Sequence, residues 1–301
     1  RAFDACLLAA AAGRGARVLQ GCRVEGIVRD GERVVGVMTR GASGSETLRA
    51  PLVVGADGRN SVVARRLGLF AWDPTLRRVS ILQDYTGKNP IGPLVEAHLG
   101  VGRYVILNPQ PGGLLHLGLV EPMDTLLRTR SPRDLLAEGL RATPQAAARL
   151  TGMEPVGPPR TIAPLAFRVR AAAGPGFLLV GDAAGYRDPL TGDGVYRALL
   201  SARLVAETIL EGRESSDPAR AIPRLYATRF RETFQNRDRL AALLQRLSDR
   251  SWPIEQLTSR LASRPEAARR FLEAVGGLSP ARSLLATGFW TRLFLPRCWA
   301  A

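Results

Sequence analysis

Hydrophobic and polar positions follow three different patterns along the chain. In the first pattern, residues 1–12 are rich in alanine and leucine and predict a helix, which Gly13 to Gly15 close. Residues 16–19 predict a strand after this short loop, as in half of a βαβ unit. Apolar alternation on both sides of Asp30-Gly31 predicts a hairpin, because such a turn needs a positive φ. A further strand is predicted over residues 46–54.

The second pattern begins near residue 79 and gives way to a third one after residue 120. Residues 79–120 alternate in short runs broken by glycine and proline, which predicts an antiparallel sheet. Ser131-Pro132 predicts the start of a helix, and a second short helix should end near Leu150. Residues 177–180 are apolar throughout and predict a buried parallel strand. A helix should then run from Gly194 to about residue 210.

The order of these elements predicts an α/β protein with three parts. The first is an α/β domain made of residues 1–70 and 161–212. The second, residues 71–160, is an antiparallel sheet with helices, inserted between the two halves of the first. The third, residues 213–301, is helical, because apolar residues recur at helical spacing beyond Asp217.

Composition indicates a folded protein with excess positive charge. The chain has 301 residues, and 46% of them are hydrophobic, which is too many for a disordered chain. The formal net charge is +15, and arginine supplies nearly all the cations because Lys88 is the only lysine. Beyond residue 201 the arginines are interleaved with acids, as on solvated helix faces. We therefore expect an anionic cofactor, substrate or membrane surface as partner, and no nucleic acid.

Cysteine usage and hydropathy indicate the environment of the protein. Cys6, Cys22 and Cys298 are far apart and form no Cys-x-x-Cys pair, so neither a disulfide framework nor a metal site is expected. No apolar run approaches the roughly 18 residues of a spanning helix. We expect a cytoplasmic protein. Residues 284–299 mix aromatic residues with arginines, which suits peripheral membrane contact through the C-terminal helices, although packing between helices is the simpler explanation.

The most informative stretch runs from residue 177 to residue 207. Its strand places Asp182 at the carboxyl end, where open α/β sheets bind ligands. The small residues 183–185 leave room for a ligand beside the backbone. Residues 188–194 then form a loop with a proline and a Gly-x-Gly before a helix, whose N-terminus favours an anion. The alternative interpretation is that Asp182 and Asp193 only cap helices.

A second stretch, residues 52–69, has a similar organisation. Its strand ends at Gly55-Ala56-Asp57-Gly58, and the chain turns through Arg59-Asn60-Ser61 into a helix. Considered alone, Asp57-Gly58 would be an ordinary turn and Ser61 an N-cap. The two stretches together form a more specific pattern than either one.

These paired strings resemble the Asp-Gly and Gly-Asp motifs of the FAD-dependent oxidoreductases with the p-hydroxybenzoate hydroxylase fold. The loop Pro-Leu-Thr-Gly-Asp-Gly and the helix after it are most similar to the geranylgeranyl reductase branch. The opening helix, with Arg1, Phe3 and Asp4, is similar to the helix that precedes the second βαβ element in this group. The resemblance covers residues 1 to about 210 and implies FAD as cofactor, with NAD(P)H as the expected electron donor.

The resemblance also implies roles for particular residues. Asp182 should hydrogen-bond the ribityl hydroxyls of FAD, and residues 192–194 should place N–H groups and a helix dipole beside the flavin edge that becomes negative on reduction. Pro189 should face the flavin ring, Arg1 should approach the FAD phosphates, and residues 57–59 should lie near the pyrophosphate. The complete set of expected cofactor-binding residues is Arg1, Asp57, Gly58, Arg59, Gly181, Asp182, Ala183, Pro189, Gly192, Asp193 and Gly194.

One feature of the family is missing from the sequence. A Gly-x-Gly-x-x-Gly motif should precede the opening helix, whereas Gly13-Arg14-Gly15 follows a helix and lacks the third glycine. The expected fold is therefore an α/β, Rossmann-like FAD-binding domain truncated at its N-terminus, with an inserted antiparallel β-sheet substrate domain and a helical C-terminus. Loss of a central strand would expose sheet edges, which favours a shortened sequence over a natural protein without this unit.

The expected function is FAD-dependent hydride transfer to a C=C bond of a small hydrophobic, isoprenoid substrate. The alternative on the same scaffold is an FAD-dependent monooxygenase that hydroxylates an aromatic or polyketide substrate. A third interpretation is a non-catalytic remnant that binds a partner or a membrane. No pattern identifies a catalytic residue, since His98 and His116 fit positions on a sheet face. Four aromatic residues either line the substrate cavity or pack in the core: Trp72, Tyr85, Tyr104 and Tyr186.

Overall fold

The computed structural model describes residues 2–294, so Arg1 and residues 295–301, including Cys298, lie outside the described part of the chain. The helices are α1 Ala2–Gly13, α2 Val62–Arg66, α3 Met123–Arg128, α4 Pro132–Arg141, α5 Pro144–Arg149, α6 Gly194–Gly212, α7 Pro218–Ser248, α8 Ser251–Ala262, α9 Pro265–Val275, α10 Arg282–Leu285 and α11 Thr287–Phe294. The strands are β1 Arg23–Asp30, β2 Arg33–Gly41, β3 Gly44–Arg49, β4 Val53–Gly55, β5 Phe70–Trp72, β6 Arg78–Thr86, β7 Glu96–Gly100, β8 Arg103–Gln110, β9 Leu114–Pro122, β10 Glu154–Ile162, β11 Phe167–Val169, β12 Ala173–Gly174 and β13 Phe177–Leu179.

The first sheet is formed by β1, β2 and β3 in antiparallel order. Asp30 pairs with Arg33 across a two-residue turn, in which Gly31 has a φ of 56°. Glycine adopts this backbone conformation with the least strain, so Gly31 explains why the chain reverses here and forms the hairpin. The predicted opening helix and the predicted hairpin are both confirmed.

Two predicted strands are wrong in detail. Residues 16–19 form no strand, since the described residues place no strand alongside them for pairing. The strand predicted over residues 46–54 is divided into β3 and β4, which belong to different sheets. Pro51 lies between them and has no backbone N–H for a ladder, so the chain leaves one sheet there before it enters the next.

A three-stranded sheet, β12-β13-β4, positions the two sequence motifs. β13 pairs in parallel with β4, so that Leu179 lies opposite Gly55. Leu178 and Leu179 are fully buried, which confirms the predicted parallel strand. Parallel strands end at the same edge of a sheet, and each of these two is followed by a short 3₁₀ turn, Gly58–Asn60 after β4 and Gly181–Ala184 after β13.

The predicted antiparallel sheet has five strands in the order β10-β6-β9-β8-β7. Its first face packs under the predicted helices α4 and α5, with Ile81, Leu117 and Leu135 fully buried between them. Its second face carries Tyr104 and turns toward the chain segment around Tyr186. The sheet therefore has a closed face that forms a core and a face available to the α/β part of the chain.

Helices α7 to α11 confirm the predicted helical C-terminal region over its described residues. Tyr226 of α7 is buried, and its Oη donates a hydrogen bond to the backbone oxygen of Leu179, with an Oη···O distance of 2.7 Å. Further along α7, Leu240 and Leu244 pack with residues of α8, α10 and α11 in one apolar cluster. α7 therefore joins the three-stranded sheet β12-β13-β4 to the last helices. No helix among residues 2–294 is long and apolar enough to span a bilayer.

Candidate functional site

The turn after β13 is fixed by a glycine and a buried serine. Gly181 has a φ of 54°, and a Cβ at this position would stand 3.2 Å from the Cβ of Ala198 on α6. The backbone N–H of Gly181 donates to Oγ of Ser201, also on α6, across 2.9 Å. Ser201 is fully buried, so this bond sets the position of the turn relative to the helix. Ala183, in the same turn, is fully buried as well.

Asp182 follows Gly181 and carries a carboxylate that accepts no hydrogen bond from any residue between 2 and 294. Burial raises its pKa above the ordinary value, while the positive charges of Arg59 and Arg197 oppose this shift. Asp182 makes no capping hydrogen bond, so the helix-cap interpretation is wrong for this residue. A half-buried carboxylate with free acceptor positions is suited to binding hydroxyl groups.

The loop before α6 is built by Asp188 and a left-handed glycine. Asp188 is buried, and its Oδ1 accepts hydrogen bonds from the backbone N–H of Leu190, at 2.9 Å, and from Oη of Tyr104 on β8. Pro189 begins a 3₁₀ turn that ends before Gly192, whose φ is 62°. A Cβ at Gly192 or at Gly194 would meet no atom within 4 Å. The backbone of the loop is therefore open to a ligand at both glycines.

Asp193 immediately precedes α6 but does not cap it with its side chain, so the helix-cap interpretation is wrong here too. Its Oδ1 accepts from Oγ1 of Thr191 at 2.9 Å, and its Oδ2 accepts from Nε of Arg237 at 3.0 Å. Arg237 comes from α7, and its guanidinium also lies over the ring of Tyr196, 5.0 Å from the centroid. No described side chain accepts a hydrogen bond from the N–H groups at the N-terminus of α6. These groups carry the positive end of the helix dipole.

The Asp57-Gly58 motif lies at the same sheet edge, and its side chains are engaged with the chain itself. Oδ2 of Asp57 accepts from the backbone N–H of Val62 at 2.6 Å. Ser61 caps α2, as its alternative interpretation predicted. Arg59 donates to the backbone oxygens of Pro164 and Leu165, the latter at 2.8 Å. Arg59 therefore connects this motif to the segment that leaves the five-stranded sheet.

A cleft of about 190 Å³ lies between the loop, α6 and α7. Its charged and aromatic lining includes Asp182, Tyr186, Asp188, Asp193, Arg197 and Arg237. Burial raises the pKa of the Tyr186 phenol well above its ordinary value, and the carboxylates of Asp188 and Asp182 raise it further, so the hydroxyl stays protonated at neutral pH. This Oη has no hydrogen-bond partner among the described residues.

The structure brings most of the predicted cofactor residues together and adds several more. Gly58, Arg59 and the predicted residues from Gly181 to Gly194 meet at the ends of β4 and β13, whereas Arg1 lies outside the described residues. Sequence reasoning missed Asp188, Arg197, Ser201 and Arg237. Asp188 directly precedes the Pro-Leu-Thr-Gly string and could have been included, but Arg237 is 44 residues from its partner and no motif marks it.

Comparison with known proteins gives a family match for the first part of the chain. Residues 1–133 match the sequence model of a family described as FAD binding domain. Digeranylgeranylglycerophospholipid reductase 2 of Methanopyrus kandleri is 29% identical over 251 residues, which are 78% of this chain and 60% of that protein. The menaquinone reductase of Mycobacterium tuberculosis is 30% identical over 242 residues, which are 76% of this chain and 57% of that protein. The chain therefore corresponds to about three fifths of the length of these relatives.

Solved structures share the fold over most of the chain. A geranylgeranyl bacteriochlorophyll reductase-like protein from Thermoplasma acidophilum superposes with a TM-score of 0.70 at 23% identity, over 82% of this chain and 62% of that one. The flavin-dependent brominase Bmp2 superposes with a TM-score of 0.79 at 22% identity, over 91% of this chain and 69% of that one. With the Asp57 and Asp182 motifs at one sheet edge, these matches confirm the predicted resemblance to the FAD-dependent oxidoreductases with the p-hydroxybenzoate hydroxylase fold, and residues 1–133 match the FAD binding domain of that group.

Proposed function

We propose that this chain acts in an FAD-dependent reductase that adds hydrogen to a C=C bond of a hydrophobic isoprenoid substrate, with NAD(P)H as electron donor. The observation that carries the proposal is the free carboxylate of Asp182 beside the uncapped N-terminus of α6. The Methanopyrus relative is a digeranylgeranylglycerophospholipid reductase, which supports the substrate class.

The residues at this sheet edge fit FAD. Asp182 offers carboxylate oxygens without protein partners, which suit the hydroxyls of a ribityl chain. Gly192 and Gly194 leave open the space that a side chain would fill. The N–H groups at the start of α6 favour the negative charge that a reduced flavin carries. When bound, FAD would supply the hydride. Asp182 together with residues 192–194 would hold the cofactor.

The five-stranded sheet supplies an apolar wall beside this site. On its second face Tyr104, Val120 and Leu165 form a buried cluster, and Tyr186 and Leu190 of the loop pack against it. Ile106 extends the same face and is only partly buried. Hydrocarbon groups gain free energy by leaving water at the partly exposed members of this cluster, Ile106 and Leu190, so the wall supports a hydrophobic substrate.

Tyr186 holds a proton where the reduction would need one. Reduction of a C=C bond breaks the π bond and forms two C–H bonds, one from a hydride and one from a proton. Tyr186 lines the cleft, and its Oη is protonated and has no hydrogen-bond partner in the described chain. Burial and the carboxylates of Asp188 and Asp182 disfavour the phenolate left after transfer, the positive charge of Arg59 opposes them, and water can then reprotonate the oxygen. We assign the proton-donating role to this hydroxyl.

FAD titration of the purified chain tests the cofactor site. Asp182→Asn should weaken FAD binding by about 10- to 100-fold, the effect of losing one or two charge-assisted hydrogen bonds. Asp30→Asn makes the same charge change at the exposed β1–β2 turn and should leave affinity unchanged. Equal affinities for the wild type and the Asp182 variant would contradict this assignment of the site. No FAD binding by the wild type would favour the non-catalytic interpretation.

Turnover without oxygen tests the reaction. A geranylgeranyl lipid, FAD and NAD(P)H should give the saturated product under anaerobic conditions. Strict dependence on O₂, with oxygen incorporated into the product, would overturn the reductase proposal and favour a monooxygenase. Parallel assays with NADH and NADPH test the proposed electron donor.

A further inference from the structure

Three chain segments meet at one end of the five-stranded sheet. In the turn between β7 and β8, the N–H of Gly102 donates to the backbone oxygen of Ser248 at the end of α7, across 2.7 Å. Pro122, which directly precedes α3, lies against the same glycine, because a Cβ built there would stand 3.7 Å from its Cγ. Arg78, at the start of β6, donates to the side chains of Ser248 and Asp249. The turn, α3 and the α7–α8 junction therefore share one end of the sheet.

Each of these segments exposes one large apolar side chain. Val101 in the turn is 52% exposed, Leu127 on α3 is 71% exposed, and Trp252 at the start of α8 is 70% exposed. None of the three belongs to a hydrophobic cluster of the fold. Exposed side chains of this size lose contact with water when they enter an interface, and tryptophan is favoured where apolar and polar media meet.

The same segments carry unpaired positive charge. Four arginines are exposed and form no ion pair with any residue in the described range: Arg77, Arg128, Arg130 and Arg250. The exposed acids beside these residues are Asp124, Asp249 and, one turn after Trp252 on α8, Glu255, and Asp249 is already paired with Arg78. This end of the sheet therefore carries three exposed apolar side chains and more unpaired arginines than unpaired acids.

We propose that this surface, the tip, docks on an anionic lipid bilayer. The tip is defined by Val101, Leu127 and Trp252 together with the four unpaired arginines. Its charge complements anionic lipid headgroups, and its separate apolar side chains can enter the interface without a matching protein groove. This proposal stands on exposure and charge, so it does not depend on the reaction assigned above.

The tip is also continuous with the candidate site. Gly102 lies two residues before Tyr104, whose hydroxyl binds Asp188 in the loop. Beneath the tip, the guanidinium of Arg78 lies 6.0 Å from the centroid of the Tyr104 ring. Docking at the tip would therefore place the bilayer at the end of the same sheet face that forms the apolar wall.

The tip is a different surface from the C-terminal aromatic residues, for which membrane contact was the other expectation. Phe289 and Trp290 pack in the apolar cluster of the last helices, and Nε1 of Trp290 donates to the backbone oxygen of Leu284 at 2.6 Å. Helix packing thus accounts for Phe289 and Trp290, whereas Phe294 is 38% exposed. Residues 295–299 lie outside the described residues.

Vesicle sedimentation of the full chain tests the proposal. The probes are phosphatidylcholine vesicles with and without about 30% phosphatidylglycerol, at about 0.05 M and about 0.5 M salt. The wild type should bind only the anionic vesicles, and salt should release it. Arg128→Gln with Arg130→Gln should weaken binding by about fivefold for each charge removed. Leu127→Ser with Trp252→Ser should weaken it by about tenfold or more.

Matched controls separate the tip from general surface charge. Arg29→Gln with Arg49→Gln removes two exposed charges from the β1–β3 sheet, and Leu94→Ser removes a 64% exposed leucine before β7, at the opposite end of the large sheet. Both controls should bind as the wild type does, with far-ultraviolet circular dichroism confirming that every variant is folded. Failure of the wild type to bind anionic vesicles, or equal binding by the tip variants, would overturn the proposal. Tighter binding of the wild type to a nucleic acid than to anionic vesicles, with both ligands at the same concentration of negative charge, would also overturn the proposal.

Discussion

Oη of Tyr104 donates a hydrogen bond to Oδ1 of Asp188, and both side chains are buried. Tyr104 lies on β8 of the five-stranded sheet, whereas Asp188 begins the loop that carries Pro189 and Gly192. The bond therefore fixes the proposed substrate wall relative to the proposed flavin loop. Oδ2 of the same carboxylate has no hydrogen-bond partner among residues 2–294, so Asp188 depends strongly on the bonds that its Oδ1 makes.

Tyr104→Phe should destabilise the protein and loosen the loop. It removes a donor from a buried carboxylate, which should cost about 1–3 kcal/mol of unfolding free energy in urea titrations. FAD affinity should fall with it, because the loop holds Pro189 and Gly192. Tyr85→Phe is the control, since Tyr85 is also buried but its hydroxyl makes no hydrogen bond with a described residue. Equal stability of the two variants would show that the Tyr104 bond does not hold the loop.

Ser201→Ala should shift the Gly181 turn. The substitution leaves the buried N–H of Gly181 without an acceptor, at a cost of about 1–3 kcal/mol. Ser263→Ala serves as control because Ser263 is exposed and its Oγ bonds only to the preceding turn of its own helix. Chemical denaturation measures both, and a stability loss no larger than that of the control would argue against a role for Ser201 in positioning the turn.

Asp182→Asn should stabilise the protein at neutral pH while it weakens FAD binding. Burial raises the pKa of Asp182 in the folded state, so the folded protein binds its proton more tightly than the unfolded chain does. The stabilisation that this group contributes is therefore fully present when the pH is below its ordinary pKa of 3.8. It is lost as the pH rises through the pKa of the folded state.

The asparagine variant avoids this loss because it does not ionise. Its advantage in unfolding free energy should be largest at pH 7 and should shrink toward zero as the pH falls to about 4 and below. Urea titrations without FAD at several pH values measure the difference. A difference that stays constant with pH would mean that ionisation of Asp182 does not limit the stability of the fold.

Tyr186→Phe should separate proton transfer from cofactor binding. The variant removes the Oη that lines the cleft but keeps the ring, which stacks on Phe167 with a centroid separation of 6.4 Å. Anaerobic kcat should fall by about 100-fold or more, the usual contribution of a positioned proton donor. FAD affinity should change little, because the hydroxyl is assigned to the substrate and not to the cofactor. An unchanged kcat would assign the proton to water.

The sequence supports prediction of the two motifs because each is local. The run from residue 177 to 180 marks a buried strand, and the glycines, proline and aspartates after it lie within one short loop. The same reasoning fails for residues 16–19, since a strand requires a partner that local pattern does not supply. At residues 46–54 the missing N–H of Pro51 was a visible signal that the strand had to be divided.

The partners of the motif residues could not be predicted in the same way. Ser201, Arg237 and Tyr104 are 20, 44 and 84 residues from the groups they bind. The sequence around each of them is that of an ordinary helix or strand, so only the fold shows which group it contacts. The site therefore combines a motif that is readable in sequence with supports that depend on tertiary structure.

Arg237→Gln should show how α7 contributes to the site. The Asp193–Arg237 pair is only 19% and 11% exposed, and the same guanidinium donates to the backbone oxygen of Val275 at 3.1 Å. Its removal leaves the Asp193 carboxylate with only the Thr191 hydroxyl, beside the start of α6. A hydrogen bond to a partly buried charge of this kind should be worth about 1.5–3 kcal/mol. Arg203→Gln, which breaks an exposed pair with Glu207, should cause no measurable change.

A double-mutant cycle distinguishes the pair from a general loss of packing by α7. If the charges interact directly, Asp193→Asn should recover part of the stability lost in Arg237→Gln, because the uncompensated carboxylate is removed as well. The coupling energy between the two substitutions should then exceed about 0.5 kcal/mol, the limit expected for independent sites. Additive effects would instead mean that Arg237 acts through its bond to Val275 and its contact with Tyr196. In that case α7 would support the last helices without setting the charge at the start of α6.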